Sequence, residues 1–218
     1  MVTSSSTSTS TSPSTDGRPG RRRAPWDLKD LVLLVVLGVV FGFIYWVFVQ
    51  AWTALSIAMG PAGDLAQHVL AGSWLLVAPL AIAIVQRPLA GIVAEVLASV
   101  VEVVFLGSAV GPALFLAAAI QGLGSELPFA ATRYRSYGWL TYALSGLFGA
   151  GLVFFYSALR FGWYGQDLFL TRLGIHLVSG VILGGLLAKV IVDGLARTGV
   201  VDNFAIGRTR LVAGRVTR

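Results

Sequence analysis

Three glutamates stand inside otherwise apolar stretches of this sequence, and the chain contains no others. Glu95 and Glu102 lie in AEVLASVVEVV, and Glu126 lies in QGLGSELP. A charged side chain near the centre of a bilayer costs roughly 2.5–3.5 kcal/mol, so each carboxylate needs a partner or a purpose. A buried carboxylate can bind a cation, accept hydrogen bonds or carry a proton. The three glutamates are therefore the first candidates for a binding site.

The spacing of the first two glutamates predicts a shared face. Glu95 and Glu102 are seven residues apart, about 10 Å along a helix axis. Arg160, Arg172 and Lys189 are the internal cations that could neutralise them as resident ion pairs. So few cations leave negative charge unbalanced, which either a positively charged ligand from outside or a protonated glutamate would settle. The sequence alone leaves both possibilities open.

The segment QGLGSELP adds an amide to the candidate site. Pro128 and two nearby glycines predict an interrupted helix there, as occurs at membrane depth where the backbone lines a cavity. Gln121 and Glu126 are about 140° apart around an ideal helix, so they face one pocket only if the helix distorts. The alternative is a packing kink in which Glu126 reaches Arg133 or Arg135.

Aromatic residues in FIYWVFVQAW could cover a flat ligand. Tyr45 and Trp52 share one face of the predicted helix, and Trp46 lies on the neighbouring face. Such faces stack on heterocycles and attract cations, although an aromatic belt at the membrane interface would use the same residue types. Trp74 and His176, the single histidine of the sixth apolar run, are interpreted as packing residues.

These residues need membrane-spanning helices to position them. Of the 218 residues 56% are hydrophobic and 12% are charged, and the mean hydropathy is +0.80. Six apolar runs approach the ~20 residues that cross a hydrocarbon core. The runs are 31–49, 69–85, 88–106, 112–131, 139–159 and 173–192. We therefore predict an all-α membrane protein with six transmembrane helices in a compact bundle.

The distribution of basic residues predicts the orientation. The loops 53–68 and 107–111 contain no Lys or Arg, whereas both ends of the chain are rich in Arg. The positive-inside rule then places both termini in the cytoplasm of a multi-pass plasma-membrane protein. We expect a disordered Ser/Thr-rich and basic segment (1–27), a six-helix transmembrane domain that binds the substrate (28–197) and a basic cytoplasmic tail (198–218).

Several classes of function are disfavoured. The chain has no cysteine, no phosphate-binding loop and no motif that pairs a nucleophile with a base. We expect no enzyme, no cofactor and no metal site. The net charge of +6 lies in loops and termini, which indicates membrane orientation and not nucleic-acid binding.

Small residues four apart occur in the first apolar run. Gly38 and Gly42 form the GxxxG motif GVVFG, which lets two helices approach closely. Two interpretations stay open, packing within the bundle and a docking face for another membrane subunit.

The whole membrane portion, about residues 28–197, resembles the S components of energy-coupling factor (ECF) vitamin transporters, specifically the thiamin-related YkoE type. The resemblance rests on RPLAGIVAEVLASVVEVVFLGS (87–108), on QGLGSELPFAATRYR (121–135), on the six runs and on the small-residue pair. Such proteins bind a vitamin from outside, in a pocket closed by the loop between the first two spans. They dock through the first helix, here Gly38 and Gly42, onto a transmembrane coupling (T) subunit driven by ATP-binding subunits.

The resemblance also implies a ligand and a set of site residues. Thiamin carries a thiazolium cation and an aminopyrimidine, which suit carboxylates and aromatic stacking. The glutamates would meet the cation or the aminopyrimidine, the aromatic residues would stack on a ring, and the amide would add hydrogen bonds. The implied residues are Glu102, Glu95, Trp46, Gln121, Glu126, Tyr45 and Trp52.

Two other functions remain open from the sequence. A proton- or cation-coupled secondary carrier would use the glutamates and transport without partners. The metal-uptake members of the ECF group carry an N-terminal Met-His motif, whereas this sequence begins MVTSSS. A membrane assembly subunit would pair its glutamates with arginines of another protein and bind no small molecule.

Overall fold

Five helices in the computed structural model are long and apolar enough to cross a membrane, within the described residues 26–60 and 63–208. They are Leu28–Met59, Gly63–Val85, Ala113–Ala131, Trp139–Phe161 and Phe169–Thr198. The remaining predicted span, 88–106, is the shorter helix Ala90–Val100 extended by the π-helical turn Val101–Phe105. The all-helical membrane fold is thus confirmed. The count of six spans and the orientation of the termini stay predictions.

The α-helices are numbered along the chain. They are α1 (Leu28–Met59), α2 (Gly63–Leu70), α3 (Val77–Val85), α4 (Ala90–Val100), α5 (Ala113–Ala131), α6 (Trp139–Phe161), α7 (Phe169–Ser179) and α8 (Leu187–Thr198). A 3₁₀ turn, Ala71–Leu75, joins α2 to α3, and a π-helical segment, Gly180–Leu186, joins α7 to α8.

The centre of the bundle is α3. Its sequence VAPLAIAIV is apolar on every side, and all nine residues are buried. A helix without a polar face can be buried on every side, and α3 packs against α1, α4, α5 and α8. This enclosure fixes the start of α3 at the centre of the protein, next to α1 and α4.

The glycine pair of α1 packs inside the bundle. A Cβ atom at Gly38 would lie 2.6 Å from Cβ of Leu97, and one at Gly42 would lie 2.7 Å from the carbonyl oxygen of Ala98. Only glycine allows α1 and α4 to approach this closely. Gly38 and Gly42 thus pack against α4 within the protein, and a docking contact at this pair stays a prediction.

The folded part extends beyond the expected boundary at residue 197. α8 ends at Thr198 and is capped by Gly199, and Val201 then packs against Ile84 and Ala196. Lys29 at the start of α1 donates a hydrogen bond to the carbonyl oxygen of Asn203, at 3.2 Å. Apolar side chains after α8 thus cover one end of the bundle. Most of the expected N-terminal segment (1–25) and the last part of the expected tail (209–218) lie outside the described residues.

Candidate ligand-binding site

A cavity of about 470 Å³ opens where α1 ends and α2 begins. Its walls come from α1, α2, the 3₁₀ turn, α4 with its π-turn, α5, α6 and α7. In the predicted orientation this is the outer end of the bundle. The volume is within the range of small-molecule sites, and a few polar groups converge on largely apolar walls, as such sites require.

Five of the seven predicted site residues line this cavity. They are Tyr45, Trp52, Glu95, Glu102 and Gln121. The expectation that the two glutamates of one helix share a face is confirmed, since both are 1% exposed and both border the cavity. Their role in binding stays a prediction.

Both carboxylate oxygens of Glu95 are held by the protein. The side-chain amide of Gln121 donates to Oε2 at 2.7 Å, and the backbone N–H of Ala78 donates to Oε1 at 3.3 Å. Gln121 also donates to the carbonyl oxygen of Trp74, at 2.8 Å. These bonds fix the orientation of Glu95 before any ligand arrives.

A 3₁₀ turn interrupts the second apolar run, so that α3 begins inside the bundle, and its first residues supply the backbone N–H that Glu95 accepts from. The first amides of a helix have no partner within it, and α3 starts at Val77 inside the bundle. The N–H of Val77 donates to the Tyr45 hydroxyl at 2.9 Å, next to the bond from Ala78 to Glu95. Pro79 needs no such partner, because it has no N–H and is tolerated in a first turn. The sequence VAPL is therefore suited to a helix that begins at the cavity.

Glu102 has one oxygen engaged and one free. The Ser108 hydroxyl donates to its Oε1 at 2.9 Å. Its Oε2 has no hydrogen bond from any described residue. Glu102 lies in the π-turn Val101–Phe105, and single π-turns inside helices occur frequently at functional sites. Glu102 is thus the carboxylate with capacity left for another molecule.

The internal cations pair elsewhere. Arg172 binds Asp64 at 2.6 Å, and Lys189 binds Asp193 at 2.5 Å, one turn along the same helix. None of the ion pairs among residues 26–60 and 63–208 includes a glutamate. Arg160 borders the cavity, and its guanidinium lies over the Phe161 ring, at 5.1 Å from the centroid. Resident ion pairs, the simplest structural role for Glu95 and Glu102, are therefore absent from the described part of the chain.

Trp46 does not line the cavity. Its ring stacks on that of Phe43, with centroids 6.2 Å apart, and Phe43 is one of the exposed apolar residues of α1. Successive residues are about 100° apart around a helix, so Tyr45 turns inward while Trp46 turns to the side. Trp46 therefore lies outside the lining of this cavity, and its contact with a ligand stays a prediction.

Glu126 lies outside the cavity as well. It accepts a hydrogen bond from the backbone N–H of Leu89 at 2.5 Å and from the Tyr134 hydroxyl at 2.9 Å. It thus satisfies free amides where α4 begins. α5 continues through Pro128, so Gln121 and Glu126 keep their separate faces. Glu126 thus links α5 to α4, its partner is Tyr134 instead of the neighbouring arginines, and its contact with a ligand stays a prediction.

Sequence reasoning missed several cavity residues. Trp74 and His176, which we interpreted as packing residues, border the cavity, as do Gln67 and Tyr156. The signal for His176 was weak because a single histidine on an apolar helix is usually a core residue. Its significance depends on His68, 108 residues earlier in the chain, which lies beside it.

Comparison with known proteins agrees with this architecture. The family described as "ABC-type cobalt transport system, permease component" matches residues 29–153, more than half of the chain. A Bacillus subtilis (strain 168) protein, YkoE, whose name proposes an HMP/thiamine permease, is 34% identical over 185 residues. That alignment covers 84% of this chain and 91% of the relative.

A solved structure supports the same assignment. It is described as the crystal structure of an S-component of an ECF transporter, and it superposes with a TM-score of 0.80 at 32% identity. The match covers 88% of this chain and 96% of the other. The fold is that of a substrate-binding membrane component, which is not an enzyme and resides in the plasma membrane as a multi-pass protein. More narrowly, the chain belongs to the YkoE-type S components of ECF transporters.

Proposed function

We propose that this S component captures thiamin or its hydroxymethylpyrimidine (HMP) precursor from outside the cell. One observation carries the proposal, the pair Glu95 and Glu102 at a single cavity with no resident cation on either carboxylate among the described residues. The ligand named for the Bacillus relative supports the same chemical class. In the described residues no three His, Asp or Glu side chains come close enough to hold a metal ion. These observations favour an organic cation or amine over a cobalt ion.

Glu102 is the expected primary contact. Its Oε2 can pair with the thiazolium cation or accept hydrogen bonds from the amine of the pyrimidine. Glu95 already accepts two hydrogen bonds, so we expect it to contribute negative charge and to hold Gln121 in place.

The cavity walls suit a flat ring. Trp52 and Trp74 border the cavity. Indole faces stack on heterocycles and attract cations. A pyrimidine ring would supply such a flat partner.

Uptake would then depend on partner subunits. We propose that α1 docks onto a transmembrane T subunit, which ATP-binding subunits drive. With the glycine pair buried, this role falls to the exposed apolar side of α1. That side carries Val32, Val36, Val39, Val40, Phe43 and Val47. An apolar face of this length supports either contact with lipid or contact with another membrane protein.

A titration with matched variants tests the ligand. The full-length protein in detergent is titrated by calorimetry with thiamin and with HMP. A charge-assisted hydrogen bond is worth ~1.5–3 kcal/mol, so Glu102→Gln should weaken binding by roughly 10- to 150-fold. Glu95→Gln should weaken it less. Glu126→Gln is the control, because it changes the same residue type outside the cavity and should leave the affinity unchanged.

The outcomes separate the candidate functions. No heat from either ligand, in a protein that unfolds cooperatively, would reject the ligand class and favour an assembly subunit. Equal loss in all three variants would reject the site. Uptake in cells that lack the T and ATP-binding subunits would favour the secondary carrier, because an S component binds its ligand but needs those subunits to transport it.

A further inference from the structure

Gln67 is a residue of the cavity wall whose side-chain amide has no partner in the described part of the protein. It lies on α2, borders the cavity and is half-buried. The amide makes no hydrogen bond with any described residue. None of the described side-chain atoms that are buried without a partner belongs to Gln67, so its amide atoms remain accessible. A carboxamide has two donor hydrogens and an acceptor oxygen, and this whole capacity is left for another molecule.

The backbone that carries Gln67 is anchored to α7. Asp64 pairs with Arg172 at 2.6 Å, and the carbonyl oxygen of Val69 accepts a hydrogen bond from the Ser179 hydroxyl at 2.6 Å. These two contacts lie before and after Gln67 in the chain. A ligand contact from an anchored helix costs less conformational entropy than one from a free loop, so Gln67 is well placed for binding.

Gln67 lies on the side of α2 that is turned to α1. Gly63 is four residues earlier and shares this side, and a Cβ atom there would clash with the backbone of Ser56 in α1. Ser56 and Thr53 border the same cavity, but their hydroxyl groups donate to carbonyl oxygens of α1, each at 2.8 Å. Where α1 and α2 meet, Gln67 therefore supplies the donors that these hydroxyl groups do not offer.

We propose that the Gln67 amide binds the edge of the ligand on which an amine lies beside a ring nitrogen. The inference rests on the proposed function and names a further contact for it. An amide binds such an edge through two hydrogen bonds, as glutamine does with adenine. Its oxygen accepts from the amine, and its N–H donates to the ring nitrogen. The aminopyrimidine of thiamin and of HMP has this edge.

Other polar groups of the cavity cannot bind both atoms of this edge. The carboxylates of Glu95 and Glu102 accept hydrogen bonds but have no N–H for the ring nitrogen, whereas the guanidinium of Arg160 donates but cannot accept from the amine. The amide nitrogen of Gln121 already donates to Glu95 and to the carbonyl oxygen of Trp74. Gln67 thus leaves Glu102 available for the thiazolium cation or for the second N–H of the amine.

A titration with two glutamine variants tests this contact. The full-length protein in detergent is titrated by calorimetry with HMP and with an HMP analogue in which hydrogen replaces the amine. Gln67→Leu should weaken HMP binding about 5- to 150-fold, as for the loss of a bidentate pair. The loss should be smaller for the analogue, because one of the two hydrogen bonds is already missing. Gln50→Leu is the matched control, since Gln50 is exposed on α1 outside the cavity, and it should leave both affinities unchanged.

Each result decides the proposal. Unchanged HMP affinity in Gln67→Leu, in a protein whose wild type binds HMP, would overturn this inference and leave the proposed function intact. An equal loss for HMP and for the analogue would show that the substitution acts on the shape of the cavity, and would overturn the assigned edge. A lower melting temperature of Gln67→Leu without ligand would show that the amide has a partner within the protein, which contradicts the proposal. Absence of binding of HMP and thiamin to the wild type would remove the proposed function and this inference together.

Discussion

Substitutions of the α1 glycines test the tight packing on which the cavity depends. An added Cβ at Gly42 would lie 2.7 Å from the carbonyl oxygen of Ala98 and from Cβ of Val101, where ordinary contacts begin near 3.4 Å. α1 and α4 would have to separate by several tenths of an ångström to admit it. Overpacking of this kind costs ~1–3 kcal/mol, against a gain of about 1 kcal/mol from replacing glycine by alanine in a helix.

The net expectation is a loss of up to about 2 kcal/mol for Gly42→Ala. Gly38→Ala should behave similarly, because its Cβ would lie 2.6 Å from that of Leu97. Gly174→Ala is the matched control. Gly174 lies in α7, with nothing within 4 Å of an added Cβ, so this variant should be neutral or more stable. The assay is thermal unfolding in detergent without ligand.

The same variants distinguish packing from docking. α4 carries Glu95 and Glu102, so displacement of α4 should weaken ligand binding as well as lower the melting temperature. Melting temperatures like that of Gly174→Ala would show that α1 and α4 are not in close contact. Unchanged stability and binding, with impaired assembly onto the T subunit, would restore the glycine pair as a docking face.

Two further predictions concern the walls of the cavity. Trp52→Ala should weaken ligand binding by about 5- to 150-fold if a base stacks there, whereas Trp46→Ala, which removes a ring outside the cavity, should leave the affinity unchanged in the same titration. Equal effects would mean that both rings act through stability. The pair of Asp64 and Arg172 joins α2 to α7, so Arg172→Gln should increase amide hydrogen exchange in α2. Unaltered exchange there would show that other contacts hold this helix.

The apolar runs and the spacing of the acidic residues predicted much of the fold and part of the site. The length of each apolar run indicates where a helix can cross the membrane. The seven-residue spacing places Glu95 and Glu102 at one cavity. Gln121 was predicted because it lies in the same segment as Glu126, QGLGSELP. These are local signals, and they survive folding because helix geometry alone determines them.

The positions that the sequence did not predict depend on long-range packing. Which way Trp46 turns depends on how α1 is rotated against α4, and that rotation is set by Gly38 and Gly42. Glu126 was expected to contact the ligand because the sequence does not show that the backbone N–H of Leu89 lies beside it. The pairing of His68 with His176 across 108 residues has no local pattern at all.

The start of α3 within the bundle has a consequence for selectivity between ions. A helix N-terminus carries roughly half a positive elementary charge, and that of α3 meets Glu95 through the Ala78 amide. The backbone therefore already offsets part of one carboxylate, and the uncompensated charge lies mainly on Glu102. Arg160 borders the same cavity, so a singly charged organic guest is enough to remove the remaining negative charge. A bare divalent ion would leave an excess of positive charge and would also have to lose a tightly held hydration shell.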